Sequence, residues 1–387
     1  MSYSPEHPKH RAGRDLKLVA AAAFCLYVGF GIYLATYNNF FVGVIHVRPE
    51  QLGVLESVRE SPGLAMAFVL ALAMHIAEPM LGTAALMLLS IGFLGYAGTA
   101  SYVPIVFFSV IWSVGLHVWM PLQSAMTLSL AEEGAKGRRL GQVGAATGLG
   151  TSLGITAVLL LSSNAVYSGT VSYRTWYTAA AVWVAAGAVI IWFVRRDLSP
   201  PDRPRLVFKR KYGLYYGLTF LEGCRKQVFI TFAPYVLVKV YGTPQMVIAA
   251  LMLTNNVVNL IGAPIVGRMI DRIGERRILT TSYTGLIAVF LGYALTRQVH
   301  VLWVLYCVDN LLYLSTYSLT TYLNRIASRE DLTPSLSMGV TTNHLAAVVV
   351  PITGGLIWKA VGYQVPFFGG AAVVAASLLL ASRLSRK

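Results

Sequence analysis

Apolar stretches of 18 or more residues recur along the whole 387-residue chain, separated by short polar gaps. As an α-helix rising 1.5 Å per residue, such a stretch crosses roughly 30 Å of hydrocarbon. Strand-type alternation is absent, which argues against a transmembrane barrel. Composition agrees: 56% of residues are apolar and 12% charged, about half the charged fraction of a soluble domain, and mean hydropathy is +0.62. The expected class is an all-α integral membrane protein.

Twelve spans are predicted: Leu18–Ile45, Gln51–His75, Pro79–Thr99, Val103–Ala131, Leu140–Ser163, Tyr173–Val194, Tyr212–Val240, Gln245–Ile270, Ile278–Thr296, His300–Ile326, Ser337–Val361 and Val365–Leu384. Residues 1–17 read as a polar, basic leader with no cleavage site, residues 18–194 as one six-helix bundle and residues 212–387 as a second. Between the bundles, residues 195–211 hold three prolines and seven basic residues, a linker composition. The halves echo each other. Short charged connections, Glu132 to Arg139 and Ala327 to Pro334, each precede a span rich in small residues: Gly141, Gly144, Gly148, Gly150 and Gly154 in one, Gly339, Gly354 and Gly355 in the other. Glycines at such spacing let helices approach closely in lipid.

The net charge of +15 sits in the gaps rather than on one aromatic-lined basic face, so no nucleic-acid partner is expected. With the N-terminus inside, 23 basic residues fall on the cytoplasmic side. Five fall outside: Arg48, Arg174, Lys239, Arg297 and Lys359. That bias predicts cytoplasmic termini in a plasma-type (inner) membrane. Cys25, Cys224 and Cys307 lie within apolar runs without metal-ligand spacing, the histidines are equally scattered, and neither metal, cofactor nor disulfide is expected.

Span 8 leads into Gly267-Arg268-Met269-Ile270-Asp271-Arg272-Ile273-Gly274-Glu275-Arg276-Arg277. Physically, Gly267 suits a close helix crossing, Asp271 can pair with Arg272 or Arg276 or cap a neighbouring helix, and Gly274 permits a tight turn. The segment resembles the G-x-x-x-D-R-x-G-x-R-R loop of the major facilitator superfamily, and the six-plus-six plan with its basic linker is similar to that family over nearly the whole chain. The resemblance implies a monomeric secondary transporter with two six-helix bundles. It also implies a cytoplasmic latch at Gly267, Asp271, Arg272, Gly274, Arg276 and Arg277; the other reading is simple anchoring by basic residues. The first half departs from the pattern: Ala73-Met74-His75-Ile76-Ala77-Glu78-Pro79 has no Asp-Arg pair, and span 5 lacks the Gly-Pro step of many antiporters.

Seven ionisable side chains lie deep in apolar spans: Glu56, Arg59 and Glu60 on span 2, Glu222, Arg225 and Lys226 on span 7, and Asp309 on span 10. Both triplets follow i, i+3, i+4 and therefore share a helix face. Each charge costs a few kcal/mol at the bilayer centre and needs a partner or a wet cavity. In the resembled fold, spans 2, 7 and 10 surround the central cavity. Desolvation disfavours the ionised form of a carboxylate, which suits Glu222, Asp309 and Glu60, in that order, to carry a coupling proton. Arg225 and Lys226 suit an anionic or zwitterionic substrate. The plainer alternative is that these are ion pairs holding the bundle, although buried pairs are poor stabilisers. Asn38, Asn39, His117, Gln123, Gln227, Asn255, Asn256, Asn259, Asn310, Asn343 and His344 complete the substrate-binding candidates with Glu56 and Arg59; interhelical hydrogen bonding is their other use.

The expected function is proton-coupled transport of a small organic solute by alternating access between the halves. No G-x-x-x-x-G-K-[ST] phosphate loop is present, and no nucleophile–base constellation suggests an enzyme. A non-transporting scaffold or receptor on the same fold is the alternative; it would need longer loops than the longest gap here, about 17 residues.

Overall fold

The computed structural model describes residues 8–72, 76–132, 134–162, 170–195 and 208–384. Among these the chain is helical, with α1 (Pro8–Gly43), α2 (Pro49–Leu72), α3 (Glu78–Gly98), α4 (Tyr102–Ser129), α5 (Lys136–Leu161), α6 (Thr170–Trp192), α7 (Gly213–Lys239), α8 (Gln245–Ile273), α9 (Glu275–Leu295), α10 (Val299–Tyr313), α11 (Tyr317–Ile326), α12 (Arg329–Val361) and α13 (Gln364–Ala381). Since α10 and α11 are one span broken by a 3₁₀ turn at Leu314–Thr316, these are the twelve predicted spans. Ten are long and apolar enough to cross a membrane. The other two, α2 and α7, have membrane length at 24 and 27 residues and carry the charged triplets.

The break was not expected, because that segment holds neither proline nor glycine. It falls at Ser315-Thr316-Tyr317-Ser318, whose side chains lose rotamer freedom in a helix or compete for its backbone bonds. Other ends also shift. Helix α1 begins ten residues before Leu18, inside the basic leader, and α12 begins at Arg329 rather than Ser337. Residues 196–207 of the linker lie outside the described residues; its end forms a 3₁₀ turn, Arg210–Tyr212.

The chain divides into two compact units. One comprises residues 1–40 and 65–203, the other residues 41–64 and 204–387. The first part of α2 thus groups with the second unit rather than with residues 18–194.

In the first unit α1 packs on α5 through three glycines. A Cβ at Gly31 would meet the Thr151 carbonyl, one at Gly150 the Phe24 carbonyl and one at Gly154 the Val28 carbonyl. Gly141 and Gly144 meet nothing within 4 Å, so only part of the glycine-rich face is used for packing here. Ser90 Oγ donates to Ala181 O at 2.9 Å, joining α3 to α6. The core is aromatic: Tyr33 stacks on Phe93 (5.5 Å) and lies 5.0 Å from Trp112. Asp15 is fully buried between Arg14 (3.1 Å) and Arg195 (3.5 Å), tying the start of α1 to the end of α6.

In the second unit α7 packs against α10, α12 and α13. Phe229 of α7 meets Phe290 and Tyr293 of α9 and Tyr306 of α10 at 5.2–6.0 Å. The first part of α2 lies against α12, where a Cβ at Gly355 would sit 2.5 Å from the Pro49 carbonyl. Pro351 interrupts α12, and the Ile352 N–H donates instead to Ser57 Oγ at 3.0 Å. Tyr235 OH donates to Val47 O at 2.6 Å.

Candidate functional site

The second unit holds two buried charge clusters. The first is built on α7. At three- and four-residue spacing, Glu222, Arg225 and Lys226 emerge on one side of the helix. Arg225 is 1% exposed. Its Nε donates to Glu222 Oε1 at 2.9 Å and its Nη2 donates to the same oxygen. Its Nη1 donates to Asp309 Oδ1 of α10 at 3.3 Å. One guanidinium is therefore shared by two carboxylates, 84 positions apart in the chain for the second. Its fork geometry suits that double role. Tyr313 closes the cluster, with the Arg225 guanidinium 5.0 Å and the Lys226 ammonium 5.7 Å from its ring centroid, a cation–π arrangement. Glu222 Oε2 is buried, and the buried Tyr283 hydroxyl of α9 lies beside the Glu222 carboxylate.

The second cluster is built on α2. Arg59 Nη1 donates to Glu56 Oε1 at 2.7 Å, and Nη2 pairs with Glu56 Oε2 and, at 3.3 Å, with Glu60 Oε1. His344 of α12 brings Nδ1 to 3.8 Å from Glu60 Oε2. Again two carboxylates share one guanidinium, here on a single helix.

Of the neutral candidates, Asn343 packs on Gly223: a Cβ there would lie 3.3 Å from the Asn343 side chain. Asn259 and Asn310 bond each other between α8 and α10, and Asn310 Nδ2 also donates to Asn255 O at 3.2 Å. That is interhelical bonding. Gln227 is buried and Asn256 half-buried. In the first unit, Asn38 is buried with neither amide atom hydrogen-bonded among the described residues. Asn39 is half-buried. His117 Nδ1 lies 2.9 Å from Ser113 O within α4, and Gln123 Oε1 accepts from Trp119 Nε1 at 2.8 Å.

The α8–α9 loop differs from its expected detail. Gly274 has φ 84° and ψ 157°, a backbone that glycine adopts without strain. A Cβ at Gly267 would meet nothing within 4 Å, so no close crossing occurs there among the described residues. Asp271, Arg272 and Arg277 are exposed and Arg276 half-buried. An ion pair at this loop is formed by Glu275, buried at the start of α9, with Arg325 at the end of α11, 3.4 Å apart. Glu275 occupies a variable position of the motif, so the motif did not single it out. A second acid also escaped sequence reasoning. Asp331, buried in the first turn of α12, accepts from Lys209 Nζ (2.5 Å), Lys211 Nζ (2.8 Å) and Tyr212 OH (2.8 Å). The Asp331 carboxylate holds the Lys211 ammonium above its ordinary pKa.

The sequence signature of the Major Facilitator Superfamily matches residues 19–314 and, in a second match, 215–387. Among solved structures, a variant of the nucleoside transporter NupG superposes with a TM-score of 0.80 at 12% identity, covering 95% of this chain and 98% of its own. A bacterial homolog of the human lysosomal transporter Spinster, inward-facing and unoccupied, gives 0.73 at 13% identity, with 98% of both chains covered. The human organic anion transporter MFSD10 gives 0.62 at 14% identity, covering 97% and 100%. No curated protein matches the chain at the level of sequence. At these identities the structural likeness speaks for the fold.

Proposed function

Because the chain belongs to the major facilitator superfamily, a family of membrane transporters, we propose that it is a proton-coupled secondary transporter of a small organic solute. The solute crosses by alternating access between the two six-helix halves, residues 18–194 and 212–387. The protein works as a monomer in a plasma-type membrane with both termini cytoplasmic, in keeping with the 23-to-5 bias of its basic residues. Its α8–α9 loop acts as the cytoplasmic latch, through Glu275–Arg325 as well as the motif's own charges.

One observation supports proton coupling: Glu222 and Asp309 share a single guanidinium in the buried middle of the second unit. Two carboxylates and one guanidinium sum to one negative charge, balanced in the empty site by Lys226 on the same helix; a bound anion would leave a negative charge uncompensated, which is costly in a water-poor surrounding. A proton on either carboxylate removes it, and Glu222 Oε2 is not used by the Arg225 guanidinium. The α2 cluster repeats the arrangement with Glu60 beside His344.

A thermal-shift screen on purified protein identifies solutes that bind, and proteoliposome uptake of each is then measured with and without an inward proton gradient. The gradient is expected to accelerate uptake by wild type and to have no effect on Glu222→Gln. Equal wild-type rates in both conditions refute proton coupling, and binding without uptake refutes transport.

A further inference from the structure

Lys226 is the central residue of α7 (Gly213–Lys239). A lysine side chain reaches about 6 Å, whereas each end of this 27-residue helix lies about 20 Å away, so the ammonium cannot reach either membrane surface. Among the described residues no carboxylate lies within ion-pair distance of it. Both acids nearby, Glu222 and Asp309, are engaged by Arg225. The contact recorded for its ammonium is the face of Tyr313, at 5.7 Å. One turn earlier on α7, Gly223 admits the Asn343 side chain of α12. The lysine thus stands half-buried against the Tyr313 ring, with no carboxylate in direct contact among the described residues.

We infer that Lys226 is the anchor for the anionic group of the transported solute, which is a small organic acid carrying a carboxylate, with the Tyr313 ring flanking it and the Asn343 amide within reach of its oxygens. An ammonium is a point charge with three rotatable donors, suited to a single carboxylate group, while the guanidinium of Arg225 is already shared between Glu222 and Asp309. This reading rests on the transporter function proposed above and deepens it. Glu222, Arg225, Asp309 and Lys226 sum to zero when the site is empty. The sum returns to zero when one proton and one monoanion are bound together, and departs from zero when either binds alone. Tyr283 and Tyr293 of α9 and Tyr306, Cys307 and Tyr313 of α10 also face the cluster and add no formal charge to this sum. Proton and acid therefore favour each other's binding and travel in the same direction.

The test uses acid–amide pairs that differ in charge and little in shape: acetate with acetamide, benzoate with benzamide, nicotinate with nicotinamide. Binding to the full-length purified protein is measured by thermal shift and calorimetry. At least one acid is expected to bind at least tenfold more tightly than its amide, and more tightly at pH 6 than at pH 8. The preference is lost in Lys226→Gln and retained in Lys226→Arg. Amide binding as tight as acid binding, an unaltered acid preference in Lys226→Gln, or no binding by any pair overturns the assignment. Proteoliposome uptake separates the two claims. An acid that binds through Lys226 and is not taken up refutes the transporter reading alone. Uptake of a neutral solute unaffected by Lys226→Gln refutes the assignment alone.

Discussion

Replacing Arg225 by methionine removes one cation from between two buried carboxylates. At an effective dielectric of about 20, the 3.3 Å pair with Asp309 is worth about 5 kcal/mol of gross attraction, and the pair with Glu222 at least as much. Most of that attraction offsets the desolvation of the three ions, so it is not net stability. Removing the guanidinium alone leaves the desolvation of both carboxylates uncompensated, at a cost of about 3–5 kcal/mol. For a unit of this size the expected fall in Tm is on the order of 10 °C. Replacing all three charges, Glu222→Gln with Arg225→Met and Asp309→Asn, removes attraction and desolvation together and returns Tm close to wild type or above it. The single variant is expected to recover stability as pH falls, because protonating Glu222 and Asp309 does what the guanidinium did. A thiol-reactive fluorophore reads the transition, since Cys25 and Cys224 are buried in the folded protein. An unchanged Tm in Arg225→Met, or a triple variant as unstable as the single, refutes the shared-guanidinium account.

Gly154→Leu places a side chain against the Val28 carbonyl and should destabilise the α1–α5 contact by about 1–3 kcal/mol, whereas Gly141→Leu, with open space around it, should be near neutral in the same Tm assay. Glu275→Gln removes the charge opposite Arg325 and should raise hydrogen exchange at the start of α9 and the end of α11, leaving α3–α6 unchanged. Asp331 raises Lys211 above its ordinary pKa. A raised cation stabilises the fold below the unfolded-state pKa of about 10.4, and that contribution is lost as pH climbs through the still higher folded value. The Tm difference between wild type and Asp331→Asn should therefore stay constant from about pH 6 to about pH 9 and shrink above about 10.4.

Apolar length was enough to read ten of the spans, because a membrane demands helices of fixed minimum length whatever their packing. The charged triplets were equally legible: i, i+3, i+4 spacing fixes a shared face without any knowledge of neighbours. What joins Arg225 to Asp309 was not, since the two lie 84 positions apart and only the packing of α10 on α7 brings them together. For the same reason Arg225 and Lys226 looked interchangeable as anion ligands. Their different engagement depends on which partner a neighbouring helix supplies. Glu275 and Asp331 escaped because an acid at a helix start reads as an ordinary end charge. Gly267 misled in the opposite direction, its residue type suggesting a close contact that the surroundings do not provide. The 3₁₀ turn had only a faint local signal in its Ser-Thr-Tyr-Ser run.

That turn has a mechanical meaning. A 3₁₀ residue advances about 2.0 Å and 120°, an α residue about 1.5 Å and 100°. If Leu314–Thr316 rewound as α-helix, α11 would screw relative to α10 by about 60° and retract by about 1.5 Å. One end of this two-piece rod carries Asp309 in the shared-guanidinium cluster, and the other carries Arg325 on the α8–α9 loop. Three residues without a single charge thus set the rotational register between the two ends of this span.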